Sequence, residues 1–162
     1  MKWQREGLIT ATRVADMDFY DSTQPELIPE GAHACLYYDG DYAATAEQAK
    51  RFAAVRWITI LGDYANCGVA DFEQGNPVFS QPGALRSFVE GRIHMGKRAR
   101  VYSDLSNLPT VRSQLEGLDY LVWLATLDGN KLSPNYTPGL WGVQYAGGPT
   151  ANYDTSILYG VW

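Results

Sequence analysis

The sequence has few cysteines, few basic residues and no long apolar run, and each shortage excludes a class of protein. Two cysteines in 162 residues are too few for a disulfide framework. No apolar stretch approaches the roughly 18 residues that indicate a membrane span. The 13 Lys and Arg residues form no cluster, and the net charge is −5. This balance argues against nucleic acid or an anionic membrane surface as a partner.

Other signals are absent as well. His33 and His94 have no nearby ligand spacing, so we expect no metal site. There is no G-x-G-x-x-G or P-loop motif, and we expect no cofactor. Residues 1–6 lack the apolar region of a signal peptide, which predicts synthesis in a cytoplasm. Without a linker or an internal repeat, the chain is predicted to be one domain over residues 1–162.

Aromatic residues are abundant instead. Hydrophobic residues make up 46% of the chain and aromatics 13%, including 5 Trp and 11 Tyr, a composition that is globular and not disordered. These aromatics could be stacking platforms for sugar rings or could fill an interior. Cys35 and Cys67 lie in or beside predicted strands. We expect buried free thiols, and a disulfide remains open only if the two strands are neighbours.

The most informative segment is residues 68–77, with the sequence GVADFEQGNP. A short apolar strand ends in Asp71 and Glu73, and a Gly/Asn/Pro turn follows. Side chains two apart on a strand point to one face, so the two carboxyls should project together. Such a pair suits hydrolysis of a glycosidic bond, because one carboxyl can be held protonated while the other stays ionised. The alternative is two exposed acids before a turn.

Strands and helices alternate over the first two-thirds of the chain. Thr45, with Gln48 at the reach-back position of a capping box, predicts a helix of about ten residues. Pro82 opens a second helix that ends before Gly96. A third helix is predicted over residues 108–115. Strands are predicted at residues 13–20, 32–38, 55–61, 69–73 and 99–103.

The last third has a different character. Three strands are predicted at residues 120–126, 140–145 and 153–159, and no helical period appears after about residue 118. Strands separated by helices imply a right-handed parallel arrangement. The pattern therefore predicts an α/β fold with a closed, mainly parallel sheet whose last three strands are nearly bare on the outside.

Several short motifs, taken in order, resemble the family 25 glycoside hydrolases, the lysozymes that cut the glycan of peptidoglycan. They are more similar still to short actinobacterial and phage glycoside-hydrolase-like relatives, and the resemblance covers nearly the whole chain. The motifs are VADMD at residues 14–18, YYDGDY at 37–42, ADFE at 70–73, RVYS at 100–103, VWLA at 122–125, WGVQY at 141–145 and YDTS at 153–156.

The resemblance implies a fold and a set of acidic residues. The fold would be a shortened, irregular TIM-type (β/α) barrel with about five βα-type units followed by three strands with little helix. Glu73 would be the general acid and Asp71 would support the reacting centre. Asp16 or Asp18 from the first strand and Asp154 from the last would complete an acidic cup. In such a cup, burial and the neighbouring negative charges raise the pKa of the most buried acid, which therefore stays protonated.

Aromatic and polar residues near the predicted strand ends are the candidates for substrate binding, although burial in the core is an equal alternative because strand residues alternate sides. The candidates are Tyr38, Asp39, Tyr102, Trp123, Trp141, Gln144 and Tyr145.

The chain also departs from the family pattern. It is shorter than the roughly 200 residues of a full barrel, and no helix is predicted between the third and fourth strands. The closing element lacks the family's Asn. Two functions therefore remain: a glycosidase acting on β-1,4 links in peptidoglycan or a related amino-sugar polymer, or a non-catalytic phage structural or wall-binding module. Either would be phage-encoded, associated with the virion or released by lysis, with cell-wall glycan or other phage proteins as partners.

Overall fold

The computed structural model describes residues 16–131 and 139–159. Arg13, Val14 and Ala15, which belong to the predicted first strand and its motif, lie outside the described residues. The strands are Met17–Asp21 (β1), His33–Tyr37 (β2), Ala54–Thr59 (β3), Val69–Asp71 (β4), Ala99–Asp104 (β5), Tyr120–Ala125 (β6), Leu140–Ala146 (β7) and Asp154–Leu158 (β8). The α-helices are Ala46–Ala49 (α1), Pro77–Ser80 (α2), Ala84–His94 (α3) and Leu108–Gln114 (α4).

The eight strands close into one barrel in sequence order, β1 to β8. Neighbours from β1 to β7 run parallel, whereas β8 runs antiparallel to both β7 and β1. The prediction of a closed, mainly parallel α/β barrel is therefore confirmed in its coarse form. Each predicted strand has its counterpart in the structure, with bounds that differ by a few residues.

The helices are fewer and shorter than predicted. In the described residues, α-helices follow only β2, β4 and β5, so five βα-type units are not observed. Thr45 and Gln48 form the predicted capping box, but α1 is a single turn. Phe52, which follows this turn, packs against side chains of β2 and β3. Between β1 and β2, Pro25 opens only one 3₁₀ turn.

The barrel interior is packed with aromatic rings. Trp123 lies 5.1 Å from Phe19, 4.7 Å from Tyr102 and 6.1 Å from Trp141 between ring centroids. Trp123 and Trp141 are each only 1% exposed. The prediction that these two tryptophans bind substrate is therefore wrong, because both side chains face the inside of a closed barrel and fill it.

A glycine makes this packing feasible. The register between β6 and β7 shifts at Val122 and Trp123, opposite Gly142. A Cβ atom on Gly142 would lie 2.9 Å from the backbone oxygen of Ile157 and 3.5 Å from the Phe19 ring. Gly142 therefore allows β7, β8 and the interior rings to approach closely.

The outer face of the last three strands is buried, in contrast to the bare surface that was predicted. No described residue after α4 is helical. The outward side chains nevertheless form one buried cluster to which α4 contributes Leu108. Apolar side chains on this face need cover, which explains the difference. The other buried members are Val122, Leu124, Leu140, Val143 and Ile157.

A second outer cluster lies under α3 and α4. Phe88 and Val89 of α3 and Val111 of α4 pack there with Cys67. Cys35 lies in the barrel interior, and the two cysteines are free. The two thiols thus lie on opposite sides of the barrel wall. Within the described ranges, no helix has both the length and the apolar character needed to span a membrane.

Candidate active site

The candidate site lies at the end of the barrel where the parallel strands finish. Because β8 runs the other way, its first residue lies at that same end, and Asp154 pairs with Asp21. Asp71 ends β4, and Glu73 follows two residues later. We call Asp21, Asp71, Glu73 and Asp154 the acidic cup. The charge of Asp154 raises the pKa of both Asp21 and Glu73, so these three acids are near enough to influence one another.

The first strand contributes Asp21 to the cup in place of the predicted Asp16 or Asp18. Phe19 and Asp21 are buried on the inner face of β1, so Asp18 points outwards and is exposed. Its Oδ1 atom lies 3.3 Å from Lys131 Nζ and 3.4 Å from the Tyr145 hydroxyl. Asp16 precedes the strand at its other end. The alternation of side chains along β1 accounts for this correction.

Asp71 is the most enclosed acid of the predicted D-x-E pair, with only 2% of its surface exposed. The Tyr37 hydroxyl donates a 3.0 Å hydrogen bond to its Oδ2 atom. Its Oδ1 atom is buried and accepts no hydrogen bond from an N–H or O–H group. Burial, and then the nearby charge of Glu73, raise the pKa of Asp71 well above its ordinary value. The neutral acid is therefore favoured here.

Glu73 is half-buried at the rim of the cup. Phe72 between the two acids turns to the outside and packs on Phe79, with ring centroids 4.7 Å apart. This alternation leaves Glu73 on the same side as Asp71, as predicted. Desolvation raises the pKa of Glu73, and the charges of Asp104 and Asp154 add to the effect. The pair Asp71 and Glu73 is thus arranged to retain a proton.

Gln144 and Tyr102 form the floor of the cup. The Tyr102 hydroxyl donates a 2.9 Å hydrogen bond to Gln144 Oε1, and Gln144 Nε2 lies 3.2 Å from carboxylate oxygens of both Asp21 and Asp154. Below them, Trp123 Nε1 donates to Ser156 Oγ at 3.0 Å. Both predicted residues therefore border the acids, but Gln144 is too deeply buried to contact a substrate as predicted.

Three other predicted binding residues contact groups outside the acidic cup. Tyr38 is exposed, and its ring packs edge-on against Trp57 at 5.7 Å. Asp39 joins two loops, since it accepts hydrogen bonds from Ile60 N at 2.8 Å and from the Thr59 hydroxyl. Tyr145 points outwards beside Asp18. A role for these three residues in substrate binding stays a prediction.

The sequence analysis does not single out two residues of the site: Asp21 follows the predicted first strand, and Tyr37 appears only within the motif at residues 37–42. The available signal was the strand pattern itself: Asp21 lies two residues after the apolar Phe19, as Asp71 lies two residues after Val69.

An open pocket of about 210 Å³ adjoins the cup between the loop after β1 and the loop before β8. Asp71, Tyr37 and Tyr102 border a second space, which is too small to hold a water molecule. No lysine or arginine lines either space. The residues around the open pocket are Asp21, Ser22, Thr23, Tyr37, Gly148, Pro149, Ala151, Asn152, Tyr153 and Asp154.

A second pocket, of about 290 Å³, lies at the opposite end of the barrel beside Gly96 and Lys97. Its one acid, Asp119, faces Arg98 at 3.7 Å, so this pocket has no pair of carboxyl groups. Among the described residues, no three His, Cys, Asp or Glu side chains are placed to hold a metal ion. In comparisons with known proteins, no family model, curated protein or solved structure matches the chain.

Proposed function

We propose that the chain is a glycoside hydrolase-like protein that cleaves β-1,4 links in peptidoglycan or a related amino-sugar polymer, with Glu73 as the general acid. One observation carries the proposal: Asp71 and Glu73 share one side of a strand end, and the environment raises the pKa of both carboxyls. A glycosidase needs such an arrangement to keep a proton donor loaded near neutral pH.

In the proposed reaction, Glu73 transfers its proton to the oxygen of the glycosidic bond as that bond breaks. Positive charge then develops on the sugar ring, and an oxocarbenium-like transition state forms. The other carboxyl groups of the cup stabilise this charge when they are ionised. Asp71 is the nearest of them to Glu73 in sequence, and Tyr37 holds its Oδ2 atom in place.

The charge of the cup favours one class of glycan. Asp21, Asp71 and Asp154 line the two spaces, and no basic side chain lines either of them. An anionic sugar would be repelled there, whereas neutral or amine-bearing sugar units would not. We therefore propose that the reacting unit is a neutral or cationic amino sugar, gripped by hydrogen bonds and ring contacts.

Tyr42 is an exposed aromatic residue near the cup that can stack on such a unit. It is 51% exposed, and its ring lies 5.8 Å from that of Tyr37, whose hydroxyl group is bonded to Asp71. An exposed ring this close to the acids can cover the apolar face of a sugar. It takes the role first assigned to Trp123 and Trp141.

A non-catalytic role in a phage particle or in wall binding is the second candidate. The burial of Asp71 favours it, because a carboxyl with 2% exposure is poorly open to a substrate. In this case the barrel would recognise a glycan or another phage protein without cleaving it.

The test is the release of reducing ends from purified wall glycan and from neutral and de-N-acetylated amino-sugar polymers, measured across pH. Glu73→Gln keeps the shape of the side chain and should lower the rate on the order of a hundredfold or more, because it removes the proton donor.

Glu90→Gln is the matched control, since Glu90 is exposed on α3 and pairs with Arg86 at 2.8 Å. Binding without cleavage across the whole panel would support the second candidate. Equal rates for Glu73→Gln and the wild type would show that Glu73 is not the acid.

A further inference from the structure

Three arginine side chains converge beside Gly68, the residue directly before β4. From the point where a Cβ atom would stand on this glycine, Arg56 Cδ lies 3.4 Å away, Arg100 Nη1 3.8 Å and Arg92 Nη2 3.9 Å. These side chains come from β3, β5 and α3. The backbone of Gly68 joins β3 to β5, since its N–H donates to Trp57 O and its carbonyl oxygen accepts from Arg100 N, each at 3.1 Å. The group therefore lies at the end of β4 opposite to the acidic cup.

The charge of Arg92 is buried, with only 8% of the residue exposed. Its guanidinium group donates hydrogen bonds of 3.4 Å from Nε and Nη2 to Arg98 O, and one of 3.3 Å from Nη1 to Tyr64 O. These carbonyl oxygens hold the group in place but carry no full negative charge. Since a guanidinium group has five N–H donors, two of them remain for another acceptor.

Arg100 is also incompletely satisfied. Its Nε atom is buried and donates no hydrogen bond to a described residue, while its guanidinium group lies 4.8 Å from the centroid of the Trp141 ring. Within residues 16–131 and 139–159, no acid forms an ion pair with Arg92 or Arg100. Burial, and then the charges of Arg56 and Arg92, lower the pKa of Arg100 to about 10, so the group is still charged at neutral pH.

The cysteine thiols do not balance these charges. Cys35 acts electrostatically on Arg100, and Cys67 acts on Arg92. Burial raises the pKa of both thiols above the ordinary value, so both are neutral. Positive charges held this close, and partly out of water, favour an anion among them.

Gly68 leaves the space that such an anion needs. Its φ is not positive, so its backbone conformation is one that other residues adopt as well. What the missing side chain provides is room beside two guanidinium groups. Arg56 and Arg100 are partly exposed, so a small ion can reach them from the solvent.

We propose that the space beside Gly68 is a binding site for a phosphate group, held by Arg92 and Arg100 with Arg56 next to them. Guanidinium groups match the oxygens of phosphate and donate strong, charge-assisted hydrogen bonds to them. Donors that come from three separate elements suit an acceptor whose oxygens point in several directions. This site lies outside the acidic cup and does not depend on the proposed glycosidase activity.

The experiment is a titration of the full chain with inorganic phosphate at constant ionic strength, followed by the NMR amide signals of Gly68 and its neighbour Val69. These signals should shift and saturate with a dissociation constant of about 1 mM or below, because two or more charge-assisted hydrogen bonds suffice for that affinity. No saturable shift, or the same shift with sodium chloride, would overturn the proposal. This result needs no variant, so it stands even if every variant fails to fold.

Two variants test the position of the site, with the Val69 signal as the common probe. Arg100→Gln should raise the dissociation constant about tenfold or more, because it removes charged donors. Gly68→Ala removes no charge but puts a methyl group in the space, and should weaken binding by about the same factor. Near-ultraviolet circular dichroism checks that each variant is folded. Unchanged affinity in Gly68→Ala would show that phosphate does not bind beside Gly68.

Arg112→Gln is the matched control, since Arg112 is exposed on α4 and the substitution removes the same charge. Its dissociation constant should stay within about twofold of the wild-type value, as expected for an exposed charge. A loss equal to that of Arg100→Gln would mean that phosphate responds only to the net charge, and would overturn the proposal.

Glycerol 1-phosphate distinguishes the two sources of a phosphate group. Affinity equal to that of inorganic phosphate would support the phosphate ester of a larger molecule as the ligand. Much weaker binding of the ester, with inorganic phosphate bound as expected, would support the free ion. Because no glycan is present in these titrations, their failure would leave the proposed glycosidase activity untouched, and a protein that cleaves no glycan could still bind phosphate.

Discussion

Asp21 is a buried acid whose ionisation opposes folding. Burial is the largest cause that raises its pKa to about 8, and the charge of Asp154 adds to it, while the hydrogen bond from Gln144 acts in the opposite direction. In the unfolded chain the same group has its ordinary pKa of 3.8. We therefore expect Asp21→Asn to change how the stability of the barrel depends on pH.

The direction of the pH dependence follows from the number of protons bound in the folded and unfolded states. Between the two pKa values, the folded protein keeps a proton that the unfolded chain releases, so raising the pH favours unfolding. The stability is fully present below about pH 3.8 and is lost as the pH rises through about 8. The slope is about 1.4 kcal/mol per pH unit. Over three pH units, the free energy of unfolding would fall by about 4 kcal/mol. Coupling between the charges of Asp21 and Asp154 reduces this loss to about 2–4 kcal/mol.

The assay is urea unfolding of the wild type and of Asp21→Asn at about pH 4.5 and about pH 7.5. The asparagine variant should gain about 2–4 kcal/mol relative to the wild type between the two pH values. Comparing the two pH values cancels any effect of the substitution on packing. Asp41→Asn, at an exposed position after β2, should give no such gain. Parallel curves for Asp21→Asn and the wild type would refute the argument.

Two further outcomes follow from the packing of the barrel and its rim. Gly142→Ala should lower the free energy of unfolding by about 2 kcal/mol or more, because the new Cβ would lie 2.9 Å from the Ile157 oxygen. Urea unfolding measures this loss, and an unchanged midpoint would contradict the close approach of the strands. Tyr42→Ala should weaken binding of an amino-sugar oligomer roughly tenfold without lowering the melting temperature. Unchanged affinity in calorimetric titration would rule out a stacking role for Tyr42.

The alternation of side chains allowed the D-x-E pair to be predicted from the sequence. Val69 and Asp71 share the inner face of β4 while Ala70 and Phe72 pack outside. A short apolar strand followed by a turn therefore suffices to place Asp71 and Glu73 together. The closed barrel also follows from local patterns, because each strand carries its own apolar residues.

The same alternation rule, applied to the wrong face of β1, predicted the wrong acids for the site. Asp16 and Asp18 share one face, and only the burial of Phe19 shows that the other face points inwards. The prediction that the two tryptophans bind substrate was wrong for a related reason. A strand pattern gives the side of Trp123 but not whether that side holds a cleft or a filled interior. The predicted length of α1 was wrong because the cap at Thr45 determines where the helix begins and not how far it extends.

The antiparallel strand β8 completes the barrel. It closes the sheet by joining the strand nearest the start of the described chain, and the residues that meet at this seam include Asp21 and Asp154. Pairing strands this far apart in the chain costs more loop-closure entropy than pairing neighbouring strands. The pairing of β1 with β8 also brings two acids together, one of which is buried. A chain that has formed every other strand pair would still lack the cup, so assembly of the site and closure of the barrel are one event.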